Sequence, residues 1–165
     1  MKVTNLSLAA ALLATASCAM QAQVKVTREY ATPTARFANV IWAGDTLYVA
    51  GQMASPSAPA DKAKGTPAVY GDTEAQATSI FTKLESILKA QGLGLGDIVQ
   101  MDCFVAGDPS KGGKMDFDGL NAAYAKFFGT ADQPNRPVRA AVQVAALASA
   151  WGLVEIQVVA VKSTK

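Results

Sequence analysis

Residues 138–161 read VRAAVQVAALASAWGLVEIQVVAV, and their alternation decides the fold. In Val138 to Val144, the residues Val138, Ala140, Val142 and Val144 share one side of an extended chain, while Arg139, Ala141 and Gln143 share the other. In Leu153 to Val161, Val154, Ile156 and Val158 share one side, and Leu153, Glu155, Gln157 and Val159 the other. Both stretches read as strands. Each carries one charged residue near its start, Arg139 in the first and Glu155 in the second.

Moving toward the N-terminus, Asp116 to Phe128 reads as a helix with Phe117, Leu120, Tyr124 and Phe127 on one face and Gly129 as its stop. Lys111-Gly112-Gly113-Lys114 is a flexible turn, and it lacks the glycine spacing and the Ser/Thr of a phosphate loop. Ile98 to Val105 reads as a strand ended by Gly107-Asp108-Pro109. A longer helix precedes it. Its apolar stripe is Ala77, Ile80, Phe81, Leu84, Ile87 and Leu88, with Thr73 expected as N-cap, Gln76 as capping-box partner and Gly92 as stop. Ser55 to Thr66 is polar and proline-rich, as an exposed loop would be. Asn39 to Trp42 and Thr46 to Ala50 flank Gly44-Asp45 and read as a hairpin, with Val24 to Tyr30 as an edge strand. The order is β-β-β-α-β-α-β-β. The expected fold is α+β, a mixed sheet whose two helices bury their stripes on one face. The other face is only partly polar, and oligomerisation is the simplest way to cover it.

The N-terminus is of another kind. Lys2 is followed by an uncharged apolar run from Leu6 to Ala19, too short to span a bilayer comfortably. Ala19-Met20-Gln21-Ala22-Gln23 resembles a cleavage region. Residues 1–22 therefore read as a signal peptide and 23–165 as one domain, periplasmic or secreted, with no membrane attachment after cleavage. A buried N-terminal helix is the competing reading. Ala16-Ser17-Cys18 suits lipid attachment, although Thr15 stands where leucine is usual. Cleavage after Ala22 leaves Cys103 alone, so no internal disulfide forms and packing must hold the domain. At 50% apolar residues the chain is not disordered in character. A formal charge of +2, with no basic run, gives no sign of nucleic-acid binding.

The sequence contains no histidine. That excludes a histidine-dependent triad and argues against a metal site. Cys103 lies in an apolar strand and reads as an inert core thiol. Arg139 and Glu155 have two readings. A strand-borne arginine binds carboxylates through paired, charge-assisted hydrogen bonds, and a nearby glutamate positions water or carries a proton. Alternatively, the two form an internal salt bridge or face solvent at the rim of the sheet.

Six features stand in order: Ala50-Gly51-Gln52, the helix ending near Gly92, Asp97-Ile98-Val99, the pattern Asn121-x-x-Tyr124-x-x-Phe127-Phe128, Pro137-x-Arg139, and Val154-Glu155-Ile156. In these the chain resembles the Rid family, the YjgF-like reactive-intermediate (enamine/imine) deaminases, from about Phe37 to Val161. The resemblance implies a chorismate-mutase-like fold, a homotrimer with sites between subunits, and no cofactor. It implies hydrolysis of 2-aminoacrylate-like enamines or imines to a 2-keto acid and ammonia, so that the partner is a small 2-imino or 2-keto acid. It makes Arg139 the carboxylate anchor and Glu155 the acid that helps water attack. Gly51 becomes part of the site wall, with Asn121 beside the cleft.

Three positions depart from the family pattern. Phe37 stands where the family has tyrosine, Ala50 where it has serine, and Ala141 where it has cysteine. Phe37 can still wall the site, and the Ala141 carbonyl can still hold water. Loss of three polar groups nonetheless opens a second expectation, a non-catalytic module of the same fold that binds a small carboxylate or a protein.

Overall fold

The computed structural model describes residues 23–163, and the signal-peptide reading of residues 1–22 lies outside them. The strands are β1 (Val26–Glu29), β2 (Val40–Ala43), β3 (Thr46–Met53), β4 (Ile98–Ala106), β5 (Val138–Val144) and β6 (Val154–Val161). Helix α1 (Thr73–Ala90) lies between β3 and β4, and α2 (Phe117–Ala125) between β4 and β5. The expected element order holds. One six-stranded sheet runs β1-β2-β3-β6-β4-β5, antiparallel except for the parallel pair β4–β5. The parallel pair needs a long crossover, and α2 lies on it.

The two helices cover one sheet face. From α1, Ala77, Ile80, Phe81, Leu84 and Leu88 are completely buried. They meet Leu47 and Val49 of β3, Met101, Cys103 and Val105 of β4, and Val154, Ile156, Val158 and Ala160 of β6 in one core. Each large apolar side chain so buried stabilises the fold by roughly 1.5–3 kcal/mol relative to exposure. Phe81 joins the helices, with its ring 6.2 Å from Tyr124, 5.4 Å from Phe127 and 5.5 Å from Phe128 between centroids.

Three local expectations change. Asp72, not Thr73, caps α1, its carboxylate accepting from the Ala75 N–H at 2.9 Å. A carboxylate there also meets the positive end of the helix dipole. Thr73 is the first helical residue and is fully buried. Gln76 makes no capping box. Its Nε2 donates to the carbonyls of Gly71 at 3.2 Å and Trp151 at 3.1 Å, and its Oε1 accepts from Leu153 N at 2.9 Å. The Trp151 ring stacks on Tyr70 with centroids 3.6 Å apart. The start of α1 is thus tied to the β5–β6 connection. Helix α2 ends at Ala125, three residues early, because Lys126 and Phe127 turn back to the carbonyls three residues before them. This tightening brings both Phe127 and Phe128 to Phe81.

Cys103 is 1% exposed. Burial pushes its thiol up to about 11, with Arg139 opposing that shift and Asp102 adding to it. A buried thiol raised in this way favours the fold while it stays protonated.

Two measurements test this packing. Gln76→Leu removes three buried hydrogen bonds and should lower the unfolding free energy by about 2–4 kcal/mol in urea titration. A loss under about 0.5 kcal/mol would contradict the clamp. For Cys103, stability is fully present below the unfolded thiol's ordinary value of 9.0 and falls as pH rises through about 11. Cys103→Ala should flatten that alkaline slope, read from denaturation midpoints between those pH values. An unchanged slope would refute the assignment.

Candidate functional site

Arg139 lies on the edge strand β5, paired with Met101 of β4. Directly paired residues point to the same sheet face, and Met101 is fully buried under the helices. The arginine therefore projects toward α2. Its Nη2 donates to Asn121 Oδ1 at 2.7 Å. The guanidinium carbon lies 4.6 Å from the centroid of the Tyr124 ring and 5.7 Å from that of Phe117. Its Nη1 is shielded from solvent and has no hydrogen-bond partner among the described residues. Arg139 as a whole is half-buried, so this is one unpaired donor on a partly sheltered cation, a costly arrangement.

Ala141, two residues on, shares this face and pairs with Cys103. The alanine leaves no thiol on β5, but the neighbouring strand carries one at the paired position. That thiol stays protonated near neutral pH, so it is no nucleophile there.

Glu155 belongs to the opposite face. It pairs with Phe104 of β4 and Met53 of β3, while its neighbours Val154 and Ile156 are buried beneath the helices. Gly51 lies against it. The pairing of β3 with β6 slips between Val49 and Gln52, a bulge that places Ala50 and Gly51 opposite the single residue Gln157. A Cβ on Gly51 would collide with the Glu155 carboxylate. The glycine is favoured by this close approach and not by its φ, which is not left-handed; any larger residue would have to displace the Glu155 carboxylate. Ala38 and Ala50 line a depression on the same face with Tyr48, Asp102 and Gln157. Phe37 precedes Ala38 in the β1–β2 connection and is 71% exposed.

The site residues thus form two groups within one chain. Arg139, Asn121 and Ala141 lie on the helix side at the β5 edge. Glu155 and Gly51 lie on the open face, with Phe37 in the adjoining connection. Arg139 aligns with Met101 and Glu155 with Phe104, two strand spacings and three residues apart, or roughly 14 Å between Cα atoms. The internal salt bridge between them is excluded. The three ion pairs among the described residues join Lys64 to Asp61, Lys111 to Asp116 and Lys126 to Glu74. Phe117 and Tyr124, read from sequence as part of an apolar helix face, in fact lie against the arginine. Their signal was in the sequence: Phe117, Asn121 and Tyr124 follow the i, i+4, i+7 spacing of one helix face.

The open face carries exposed apolar side chains. Val138 is 70% exposed and Val142 48% on β5, and Tyr48 is 49% exposed on β3.

Comparison with known proteins gives the same domain. Residues 27–162 match the family described as Endoribonuclease L-PSP. A RutC family protein of Haemophilus influenzae is 31% identical over 143 residues, covering 87% of this chain and 99% of that protein. Escherichia coli TdcF, whose name assigns it provisionally as a reactive intermediate deaminase, is 32% identical over 120 residues, covering 73% and 81%. The crystal structure of TdcF with bound serine superposes with a TM-score of 0.59 at 28% identity, over 77% of this chain and 88% of that one. The YjgF gene product of E. coli superposes with a TM-score of 0.58 at 30% identity, over the same shares of 77% and 88%. The fold is the chorismate-mutase-like fold of these structures. With its match spanning almost the whole described domain, the chain belongs to the Endoribonuclease L-PSP family, the YjgF-like or Rid proteins.

Proposed function

We propose that this protein hydrolyses small 2-imino acids, formed from 2-aminoacrylate-like enamines, to 2-keto acids and ammonia at sites shared between copies of the chain. One observation carries this reading. Arg139 and Glu155 are opposite charges outside any ion pair among the described residues, on opposite faces of one sheet. Neither completes a site alone. An edge that presents Arg139 and an open face that presents Glu155 complete each other when two copies meet head to tail. A closed ring of three copies gives three such sites and covers the apolar open face. The serine bound to TdcF is a small 2-amino acid, close in size and charge to the substrate proposed here.

The chemistry follows from the two groups. The Arg139 guanidinium binds the substrate carboxylate and so places the imine carbon. An enamine first tautomerises to the imine. The Glu155 carboxylate takes a proton from water as the new C–O bond forms and passes it to the imine nitrogen, giving a carbinolamine. It then takes the hydroxyl proton as the carbonyl forms and returns it to the nitrogen, which leaves as ammonia when the C–N bond breaks. Water supplies the oxygen, the carboxylate is regenerated, and no covalent enzyme intermediate is required.

A second reading is favoured by Phe37, Ala50 and Ala141, which supply no side-chain hydroxyl or thiol. In it the same cleft binds a small carboxylate, or a protein, without turnover. Export to the periplasm or outside the cell, read from residues 1–22, belongs to the proposal under either activity.

Complementation decides between shared and separate sites. Arg139→Ala and Glu155→Gln should each lose at least about 100-fold in imine hydrolysis, measured on enzymatically generated 2-imino acids. Unfolded together in equal amounts and reassembled, they should regain roughly a quarter of wild-type activity, because one interface in four then pairs an intact arginine with an intact glutamate. No recovery from verified mixed oligomers rejects the shared site. Wild-type binding of 2-oxobutanoate without any turnover selects the binding module. For export, N-terminal sequencing of protein recovered from outside the cytoplasm should begin at Gln23. An intact Met1 or Lys2 would overturn it.

A further inference from the structure

Arg139 is held more closely than a carboxylate anchor requires, and its holders come from one helix. Phe117, Asn121 and Tyr124 occur at i, i+4 and i+7 of α2, so they stand in a row over two turns. The guanidinium lies 5.7 Å from the first ring and 4.6 Å from the last, with the middle residue taking its Nη2 hydrogen bond at 2.7 Å. Both rings are thus within cation–π reach of one guanidinium. Tyr124 cannot swing away, because its ring stacks on Phe128 with centroids 4.7 Å apart, and Phe81 packs against both. Phe117 is the outer member, 42% exposed.

We propose that Phe117 and Tyr124 are positioning residues for Arg139. Their rings fix the plane of the guanidinium and keep Nη1 dry, and Asn121 sets its rotation within that plane. The inference rests on the carboxylate-anchor reading of Arg139. An arginine has four side-chain torsions whose freedom would otherwise be lost on binding, and carboxylate recognition depends on the plane of the fork. Pre-ordering that plane before the ligand arrives strengthens binding through lower ordering cost. Face-on contact with two rings also attracts the cation directly.

The test uses the purified assembled protein with 2-oxobutanoate as probe, read by calorimetry. The Arg139 side-chain N–H resonances, assigned by their loss in Arg139→Lys, are followed in parallel by NMR. Phe117→Leu and Tyr124→Leu should each weaken binding by roughly 3- to 30-fold. In the same variants, hindered rotation and the ring-current shift of the Arg139 resonances should be lost before any ligand is added. Tyr124→Phe, which keeps the ring, should stay within about twofold of wild type. Should Tyr124→Leu prove unstable, Phe117→Leu carries the test, since that side chain is the more exposed of the two rings. Binding lost in Arg139→Ala but unchanged in Phe117→Leu and Tyr124→Leu, with wild-type Arg139 resonances, rejects the positioning role alone. Wild-type protein that binds no 2-oxobutanoate rejects the carboxylate anchor, and the positioning role with it.

Discussion

The alternation of side chains along β6 and β4 is the constraint on which the rest depends. Val154, Ile156, Val158 and Ala160 must lie under α1 to close the core. Given a period of two, that burial sends Glu155, Gln157 and Val159 to the other face. Met101, Cys103 and Val105 impose the same order on β4, and pairing passes it to β5, so Arg139 shares the face of Met101. Packing alone thus separates the two charged residues. A one-residue slip of β5 would put Arg139 on the open face and break its contact with Asn121. The register is held by the parallel ladder and by Gln143, whose side chain bonds Gly113 O at 3.0 Å and Met115 N at 3.0 Å.

The same parity explains how far the sequence could be read. The alternation holds through β6 and from Val138 to Val142 in β5, while Leu153 lies before β6 and packs against the core. The α1 stripe is the buried stripe except for Ile87, which is partly buried. Alternation does not say which side of a strand meets the helices, because Val138, Ala140 and Val142 look as core-like as Val154, Ile156 and Val158. In the fold the first set faces outward and the second inward. That choice is made by cross-strand pairing, which is non-local. The capping error at Thr73 has a local cause. Asp72 and Thr73 are both good caps, and burial of Thr73 decides for Asp72. Gln76 fitted a capping box by spacing but is used by residues 75 and 77 positions away in sequence, a demand no local pattern contains. Of the site, Arg139 and Glu155 stood out because each interrupts an apolar run. Phe117 and Tyr124 did not, since a ring that packs on a cation and one that packs on leucine leave the same periodic trace.

The arginine and the glutamate are supported in different ways. Around Arg139 the protein supplies aromatic faces, one amide oxygen and shelter for Nη1. A charge-assisted hydrogen bond is stronger away from water, and an unmade one is more costly. Around Glu155 it supplies close-packed backbone. The bulge at Ala50–Gly51 brings backbone, not side chain, against the carboxylate. One group is held by rings and an amide, and the other lies against bare backbone. Under the proposed activity, that division suits an anchor and an acid–base residue. It does not suit a structural ion pair, in which each charge would satisfy the other.

The three departures from the family pattern fall unequally on this arrangement. Phe37 and Ala50 lie with the Glu155 group, and Ala141 lies with the Arg139 group. Each loses a neutral polar side chain. None alters the charge of a site residue, the glycine against Glu155, or the Asn121 contact. Groups that act through charge and clearance are therefore retained, while groups that would hydrogen-bond a particular substituent are lost. Neutral hydrogen bonds discriminate strongly between ligands, because a polar group left unpaired in a site is penalised. Under the proposed activity, a cleft with the same anchor and acid but fewer such groups rejects fewer side chains. The proposal therefore places the loss on which 2-imino acid is accepted more than on whether a carboxylate can be held.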